Sequence, residues 1–334
     1  MTKKLCVVLK ADHVIGTGHL MRVKGLLQPL IGAGFTPYLI TDSLEDSLLP
    51  ICTEYKEIFY FKSGDPEGFA SLVRTLAPDI TLFDHYFIGR EFESAIENLT
   101  KIAVIDDLER EHDCALLTDS GFFKTGDEYK GKVPKSCRLL CGERYSLIRD
   151  GFSEIAKKRP YRARLRVLIN YGGADPAHAC LKALTSVIKG RIYEKYDFIV
   201  LSGISNPDHE KLSDLAKEIP QIEVIRNSLK VPEIFTRCDM AMGALGGMFK
   251  ERMCAGLPAL NTVIADNQKG GEALVEKLKC GLSLSLEDLC HPERVAKALS
   301  ALEGDLAFYR QNGMRFIEGR GIGLVSRAII ELAL

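Results

Sequence analysis

The sequence has no excess of charge of either sign and no long apolar run. Its 334 residues include 44 Lys and Arg against 45 Asp and Glu, which gives a formal net charge of −1. This balance predicts neither a nucleic-acid partner nor a stable membrane association. No apolar run reaches the length of a membrane span, and the opening MTKKLCVV leads into a strand-like segment without a signal-peptide cleavage region. We therefore expect a cytoplasmic protein.

The sequence also lacks a cysteine pattern typical of a zinc site. Its ten cysteines are scattered, mostly among apolar neighbours. The pair with the shortest spacing, Cys137 and Cys141, falls within one strand-like segment, and no second pair stands nearby. We expect reduced, mostly buried thiols, no metal and no cofactor.

What the sequence does contain is an alternation of strand-like and helix-like segments. Such alternation predicts two α/β/α domains that face each other across a cleft. The predicted strands are LCVVLK, TPYLIT, EIFYF, ITLFDH, KIAVIDD and CRLLCG in the first half, and LRVLINY, YDFIVLSG, IEVIRNS, MAMGAL, LPALNTVI and GLSLSL in the second.

A basic, proline-containing passage, RDGFSEIAKKRPYRARLR, interrupts this alternation and is a candidate linker. We therefore predict an N-terminal domain over 1–152, a linker over 153–165 and a C-terminal domain over 166–312. Residues 313–334 are predicted to contain a final helix, LVSRAIIELAL, that can pack on either domain, including back on the first.

The segment IGTGHLMR follows the first predicted strand and opens a predicted helix. Gly16 and Gly18 permit a tight turn and close backbone approach to a ligand, and the free amides of a helix start favour an anion. His19 is a candidate general base, although it can equally cap the turn. Arg22 is either an anion ligand or a solvated charge.

Polar side chains also follow two later strands of the first half. Asp84, His85 and Tyr86 end one strand, and Asp106 and Asp107 end the next. The carboxyl ends of parallel strands meet at one edge of a sheet, so these residues are expected beside His19. The other reading is that such acids merely cap helices or loops.

The second half repeats the pattern of a strand followed by glycines. NYGGADP places Gly172 and Gly173 at a strand end and Asp175 before a helix start. A turn glycine needs no ligand to explain it, so this motif alone decides nothing.

A second glycine turn stands in MGALGGMFKERMCAG. Gly246 and Gly247 precede a helix that carries Glu251, an arrangement suited to a diphosphate with ribose hydroxyls nearby. Asn267 and Gln268 lie at a later helix entry, in ADNQ.

The order of these motifs resembles the nucleotide-sugar hydrolases of the pseudaminic-acid pathway and their spore-coat-polysaccharide relatives. These are GT-B-type proteins related to the N-acetylglucosaminyltransferase that makes the peptidoglycan lipid precursor. The resemblance runs through nearly the whole chain. Its most specific segments are DHYFIGREFE, IDDLEREHDCALLTD, YKGKVPKSCRLLCGERYSLIRDGF and the closing FIEGRGIGLVSRAI.

The resemblance implies an activity. The family enzyme removes UDP from UDP-2,4-diacetamido-2,4,6-trideoxy-β-L-altrose, without a metal and with inversion at the anomeric carbon. The free sugar is then expected to enter nonulosonic-acid or surface-glycan synthesis.

The resemblance also implies residue roles, with a GT-B-like fold of two Rossmann-like domains. His19 matches the family's catalytic histidine, Tyr86 the tyrosine of its D-H-Y motif, and Glu251 the acid that binds ribose. Asn267 and Gln268 match the N-Q pair near the sugar. The sugar side is thereby expected to include Asp12, Gly16, Gly18, Arg22, Asp84, His85, Asp106 and Asp107, and the nucleotide side Gly172, Gly173, Asp175, Gly246, Gly247 and Met248.

The chain departs from the family's pattern at three places. The loop that begins at Asp12 is shorter, and 119–121 read DSG where relatives have a segment like DQN. Gly247, Met248 and Phe249 stand where the family has hydroxyl residues that bind the diphosphate. Two alternatives therefore stay open: a GT-B glycosyltransferase that uses a sugar acceptor, and a non-catalytic protein that binds sugar nucleotides.

Overall fold

The computed structural model describes residues 2–12, 18–155, 162–228 and 230–334. The chain divides into two compact units, and each has its own parallel sheet and its own core. The first unit is Met1–Arg149 together with Gly319–Leu334, and the second is Asp150–Glu318.

The first unit contains a seven-stranded parallel sheet in the order β3-β2-β1-β4-β5-β6-β7. Its inner strands are near-continuous apolar runs, as expected where helices cover both faces of a parallel sheet. The strands are β1 (Lys3–Leu9), β2 (Phe35–Thr41), β3 (Ile58–Tyr60), β4 (Ile80–Asp84), β5 (Lys101–Ile105), β6 (Leu116–Asp119) and β7 (Arg138–Cys141).

Four helices cover this sheet: α1 (Gly18–Gly32), α2 (Pro66–Leu76), α3 (Arg90–Ser94) and α12 (Gly321–Leu332). In α1, Leu20, Val23, Leu27 and Leu30 recur at helical spacing and are all fully buried. Helix α12 packs on α1, where a Cβ atom placed on Gly25 would lie 2.6 Å from Cδ1 of Ile322.

The second unit contains a six-stranded parallel sheet in the order β10-β9-β8-β11-β12-β13. Its strands are β8 (Arg166–Asn170), β9 (Asp197–Ser202), β10 (Ile222–Arg226), β11 (Met240–Ala244), β12 (Ala259–Thr262) and β13 (Gly281–Ser283). Its helices are α4 (Phe152–Ile155), α5 (Ala179–Lys189), α6 (His209–Ala216), α7 (Val231–Thr236), α8 (Gly247–Cys254), α9 (Gly271–Leu278), α10 (Pro292–Gly304) and α11 (Leu306–Phe316).

Both sheets reverse their strand order at an internal point. The reversal lies between β1 and β4 in the first sheet and between β8 and β11 in the second. In open α/β sheets the carboxyl ends of the strands beside such a reversal form a crevice that binds ligands. The loops that follow these four strands are therefore the places to examine for a site.

Two parts of the predicted domain organisation differ from the structure. The expected linker over 153–165 begins inside α4, where Phe152 is fully buried and packs edge-on against Phe235 of α7. Residue 313, where the final segment was expected to begin, lies inside α11 of the second unit. The chain joins the first unit again only from Gly319.

No helix in the described ranges is long and apolar enough to cross a membrane. Seven of the ten cysteines are buried, Cys137 and Cys141 are half-buried, and Cys290 is exposed.

Candidate active site

The first cluster forms around His19, the second residue of α1. His19 is 5% exposed, and its Nδ1 lies 2.6 Å from Oδ1 of Asp84. Asp84 is the last residue of β4, which pairs directly with β1. Because a carboxylate only accepts hydrogen bonds, Nδ1 carries the proton in this contact, and in the neutral imidazole Nε2 then has the lone pair. The contact therefore prepares Nε2 of His19 to accept a proton.

Arg22 lies one turn further along α1 and keeps Asp84 ionised. Its Nε donates to Oδ2 of Asp84 at 2.6 Å, and its Nη2 donates to Oδ1. Burial alone raises the pKa of Asp84, but the charge and hydrogen bonds of Arg22, then those of His19, lower it to about 2. Asp84 is therefore a carboxylate at neutral pH.

Tyr86 and Asp107 complete the arrangement from the loops after β4 and β5. The Tyr86 hydroxyl donates to Oδ2 of Asp107 at 2.9 Å, and Nη1 of Arg22 donates to the same oxygen at 3.1 Å. The Tyr86 ring meets the His19 imidazole edge-on, with ring centroids 4.4 Å apart. Burial, and then the charge of Asp107, raise the pKa of Tyr86, so the phenol stays protonated. We call His19, Arg22, Asp84, Tyr86 and Asp107 the His19 cluster.

His85 was predicted on the sugar side, and its imidazole ring hydrogen-bonds to the backbone of its own loop. Its Nε2 lies 3.0 Å from Oδ1 of Asp42, and its Nδ1 accepts from the backbone amides of Phe87 at 3.1 Å and Ile88 at 3.3 Å. An Nδ1 that accepts from two amides carries no proton. With both ring nitrogens engaged, His85 has a structural role in its loop.

Asp106 was also predicted on the sugar side, and its side chain does not join the His19 cluster. The carboxylate is buried and accepts from the backbone amide and Nε of Arg110, both at 3.0 Å, and from the Tyr129 hydroxyl at 3.0 Å. Asp107, the next residue, joins the cluster instead, so only one of the two adjacent acids contacts Tyr86 and Arg22.

The remaining residues predicted around His19 are Asp12, Gly16 and Gly18. Asp12 is buried, and its Oδ2 lies 3.5 Å from Nζ of Lys10. Gly16 lies outside the described residues. Gly18 begins α1, and a Cβ atom placed there would meet no heavy atom of the described chain within 4 Å. The described residues therefore leave room for a side chain at position 18.

In the second unit, the turn after β8 contains Gly172 and Gly173. Gly172 has a φ of +97°, a left-handed backbone that favours glycine, and its amide donates to Oδ1 of Asn170 at 3.3 Å. Asp175 was predicted on the nucleotide side, but its buried carboxylate accepts from the amides of Ala179 and Cys180 at 2.9 and 2.8 Å. Asp175 therefore accepts hydrogen bonds from the free backbone amides at the start of α5.

Gly246 precedes α8 and Gly247 is its first residue, and both are exposed. A Cβ atom on Gly246 would lie 3.6 Å from Nε2 of Gln268, so the structure brings this turn and Gln268 together. A half-open cavity of about 310 Å³ adjoins the turn, lined by Leu245, Phe249, Leu274 and the segment 268–271. The Gln268 side chain accepts from the amide of Ile264 at 3.1 Å, which fixes its orientation.

The other residues predicted on this side are on or near α8. Met248 is half-buried, and Phe249, which replaces an expected hydroxyl residue, is buried in the unit. Glu251 is buried on α8. Asn267 lies in the turn Asp266–Gln268, and its side chain is outside the described part of the structure.

Arg252 is a residue of this region that the sequence analysis missed. It is almost fully buried, and its Nη2 donates to the carbonyl of Ala244 at 2.7 Å and to Oδ1 of Asn261 at 2.9 Å. A Cβ atom on Gly243 would lie 2.6 Å from Nη1 of Arg252. A glycine inside a buried strand was the signal that a side chain approaches closely there.

Among the described residues, no three His, Cys, Asp or Glu side chains are grouped so that they could hold a metal ion. In the His19 cluster, the charged groups around the imidazole are the guanidinium of Arg22 and the carboxylates of Asp84 and Asp107.

Comparison with known proteins finds similarity both in sequence and in structure. No protein-family model matches the chain. Over 206 residues, the chain is 27% identical to a UDP-2,4-diacetamido-2,4,6-trideoxy-β-L-altropyranose hydrolase of Campylobacter jejuni subsp. jejuni. The match covers 61% of this chain and 70% of that protein.

Two solved structures illustrate the structural likeness. MurG of Acinetobacter baumannii superposes with a TM-score of 0.70 at 10% identity, over 98% of this chain and 99% of that one. The UDP-GlcNAc 2-epimerase of Neisseria meningitidis, bound to UDP-GlcNAc, gives 0.63 at 11% identity, over 98% and 100%. The chain has the GT-B fold. The predicted class of two Rossmann-like α/β units is confirmed.

In this GT-B chain, each Rossmann-like unit carries one group of predicted residues at the reversal of its own sheet. The His19 cluster follows β1, β4 and β5, and the glycine turns follow β8 and β11. Within the first unit, the structure brings together His19, Arg22, Asp84, Tyr86 and Asp107, which lie up to 88 residues apart in the sequence. The side chain of His85 instead binds Asp42 and the backbone of its own loop, and that of Asp106 binds Arg110 and Tyr129.

Proposed function

We propose that this protein hydrolyses a nucleotide-activated amino sugar of the UDP-2,4-diacetamido-2,4,6-trideoxyhexose type, to UDP and free sugar. The observation that carries the proposal is the 2.6 Å contact between Nδ1 of His19 and the ionised Asp84. The substrate class is supported by the 27% identical relative, which is named as a hydrolase of such a UDP-sugar.

In this proposal, Nε2 of His19 takes a proton from a water molecule. The water oxygen attacks the anomeric carbon on the face opposite the nucleotide, and the bond from that carbon to the diphosphate oxygen breaks. UDP leaves with the electron pair, so the configuration at the anomeric carbon inverts. Positioned proton transfer of this kind contributes typically about a hundredfold to ten-thousandfold in rate.

The charges of the His19 cluster favour this proton transfer. With His19 neutral, the cluster contains one guanidinium, Arg22, and two carboxylates, Asp84 and Asp107. Proton uptake by His19 cancels the remaining negative charge, and the new imidazolium keeps its hydrogen bond to Asp84. Tyr86, packed against the imidazole, is proposed to contact the sugar.

The second unit is proposed to bind the nucleotide. The exposed turn Gly246–Gly247 presents the first amides of α8, which suit a diphosphate even without hydroxyl side chains. Gln268 beside this turn, and Glu251 on α8, are proposed to contact the sugar and the ribose.

The test is proton NMR of the purified protein with a UDP-linked 2,4-diacetamido-trideoxyhexose, without acceptor or added metal. We expect UDP and free sugar to appear, with the sugar first observed as the inverted anomer. For His19→Asn we expect turnover to fall by about a hundredfold or more, while UDP still raises the melting temperature.

His291→Asn is the matched control, because His291 is a half-exposed histidine at the start of α10 whose Nδ1 lies 3.7 Å from Glu293. Turnover should be unchanged in this variant. Wild-type turnover in His19→Asn would refute the role of His19 as the base.

A transferase that uses an acceptor other than water is the second candidate. Phe87 and Leu108 follow Tyr86 and Asp107 directly and are 63% and 53% exposed, which suits an acceptor with an apolar part. If UDP binds but no free sugar forms without an acceptor, this candidate replaces hydrolysis. If the sugar nucleotide binds and no acceptor supports turnover, the protein is a binding protein.

A further inference from the structure

The loop that carries Tyr86 is held by side chains rather than by regular secondary structure. It spans His85 to Ile88, directly after β4. One guanidinium holds its carbonyls: Nη2 of Arg110 donates to the carbonyl of His85 at 3.0 Å, and Nη1 donates to those of Tyr86 at 3.1 Å and Ile88 at 3.0 Å. The loop's backbone oxygens are therefore bound by a residue 22 to 25 positions later in the chain.

The same loop is held from its amide side by His85. Its Nδ1 accepts from the amides of Phe87 and Ile88, while its Nε2 faces Asp42, the residue that follows β2. Arg110 and His85 together thus satisfy five backbone groups of a four-residue loop. Such a loop has little freedom to move while both side chains are in place.

Arg110 is itself anchored in the interior of the first unit. Its Nε and its backbone amide both donate to the carboxylate of Asp106 at 3.0 Å. Asp106 is buried, and it also accepts from the hydroxyl of Tyr129, itself fully buried, at 3.0 Å. The guanidinium therefore connects the Tyr86 loop to a fixed point in the core.

That fixed point also sets the position of Asp107. Asp107 is adjacent in sequence to Asp106, and its Oδ2 receives the Tyr86 hydroxyl at 2.9 Å. Arg110 thus holds the Tyr86 loop and the segment that carries Asp107 at a constant separation. The ring of Tyr86, carried by the same loop, meets the His19 imidazole edge-on with 4.4 Å between ring centroids.

We propose that Arg110 is a positioning residue that fixes Tyr86 against His19 and Asp107. The proposal rests on the function proposed above, because its kinetic test needs turnover. Lysine cannot replace Arg110, since one ammonium cannot reach three carbonyls and a carboxylate in the planar arrangement of a guanidinium.

The kinetic test is a double-mutant cycle with Arg110→Lys and Tyr86→Phe. We expect Arg110→Lys to lower kcat about tenfold with Tyr86 present, with KM changed less than about twofold, because misplacing a reacting group affects the bound state. In the Tyr86→Phe background, the same change should lower kcat less than about twofold, because the positioned hydroxyl is already absent.

Arg90→Lys is the matched control. Arg90 lies on α3, is largely exposed and pairs with Asp113 at 3.0 Å, so kcat should stay unchanged. Equal losses from Arg110→Lys in both backgrounds, or no loss from Tyr86→Phe alone, would overturn the proposal.

A second measurement does not need turnover and separates this inference from the proposed function. Hydrogen exchange of the backbone amides of Phe87 and Ile88 should be slow in the unmodified protein, and about tenfold faster in Arg110→Lys than in Arg90→Lys. If these amides exchange in the unmodified protein as fast as in an unstructured peptide, the loop is not held and the inference fails. The measurement on the unmodified protein does not depend on whether Arg110→Lys folds. Protected amides together with no hydrolysis would overturn the proposed function alone.

Discussion

At the scale of single residues, Asp84 combines full burial with an ionised side chain. It is fully buried, and it accepts hydrogen bonds from His19 and twice from Arg22. These bonds keep it ionised and determine which nitrogen of His19 carries the proton. A change of this one side chain should therefore alter the chemistry of its neighbour.

Asp84→Asn is expected to lower turnover at least about a hundredfold. The neutral amide can donate as well as accept, so it no longer enforces the proton on Nδ1, and it leaves Arg22 without its buried counter-charge. The measurement is UDP release, with the melting temperature recorded alongside.

Asp79→Asn is the control for this prediction, since Asp79 is an exposed acid just before β4 that accepts from the amide of Lys4 at 2.7 Å. Turnover in Asp84→Asn equal to that of Asp79→Asn would contradict the tautomer argument.

His112 gives a pH dependence of stability. It is buried between Glu93, 2.7 Å from its Nδ1, and Asp106, 3.6 Å from its Nε2. Burial lowers the pKa of His112, but the two acids outweigh it and raise the pKa from 6.5 to about 9. Because the folded-state pKa is the higher one, this contribution is fully present below about pH 6.5 and is lost as the pH rises through about 9.

Urea unfolding at pH 6.5 and pH 9.5 tests this dependence. The free energy of unfolding should fall more steeply between these values in the unmodified protein than in His112→Gln, which has no charge to lose. Parallel pH profiles for the two proteins would show that His112 is not protonated in the fold.

At the scale of elements, the sequence predicted the strands well because buried parallel strands are short apolar runs. The segments LCVVLK and MAMGAL correspond to β1 and β11. The opening of α1 was equally readable from its glycines and from His19. The sequence assigned no helix to α10 or α11, and it could not tell that α4 packs into the second unit.

The side chains at strand ends were harder to predict than the strands. Asp106 and Asp107 are adjacent, yet one enters the core and the other reaches the His19 cluster. The choice depends on Arg110 and Tyr129, which come later in the chain and were not among the predicted site residues. The orientation of the His85 ring is likewise fixed by Asp42, which follows a different strand, β2.

The packing of α12 on α1 gives a stability prediction. A side chain at Gly25 would enter the space of Ile322, so Gly25→Val should destabilise the fold by about 1–3 kcal/mol beyond its effect on helix propensity. Gly323→Val in α12 is the control, because a Cβ atom there meets no heavy atom of the described chain within 4 Å. Urea unfolding of both variants measures the difference, and equal losses would contradict the close approach.

At the scale of the whole molecule, the two units repeat one plan. Each has a parallel sheet that reverses order beside its first strand, and in each the sequence between that strand and the next helix contains glycine. The predicted roles differ because the side chains differ: an imidazole with acids in the first unit, and open backbone amides in the second. The alternation of strands and helices was enough to predict the two units, whereas their proposed roles depend on particular residues.

The return of Gly319–Leu334 to the first unit has a consequence for synthesis on the ribosome. The first 149 residues emerge without the helix that covers α1, and the second unit follows them before that helix is made. At ordinary translation rates of about 5–20 residues per second, the surface of α1 waits on the order of ten seconds or more for its partner. The second unit is therefore expected to finish folding first, while the nascent first unit still exposes the apolar surface of α1 that α12 later covers.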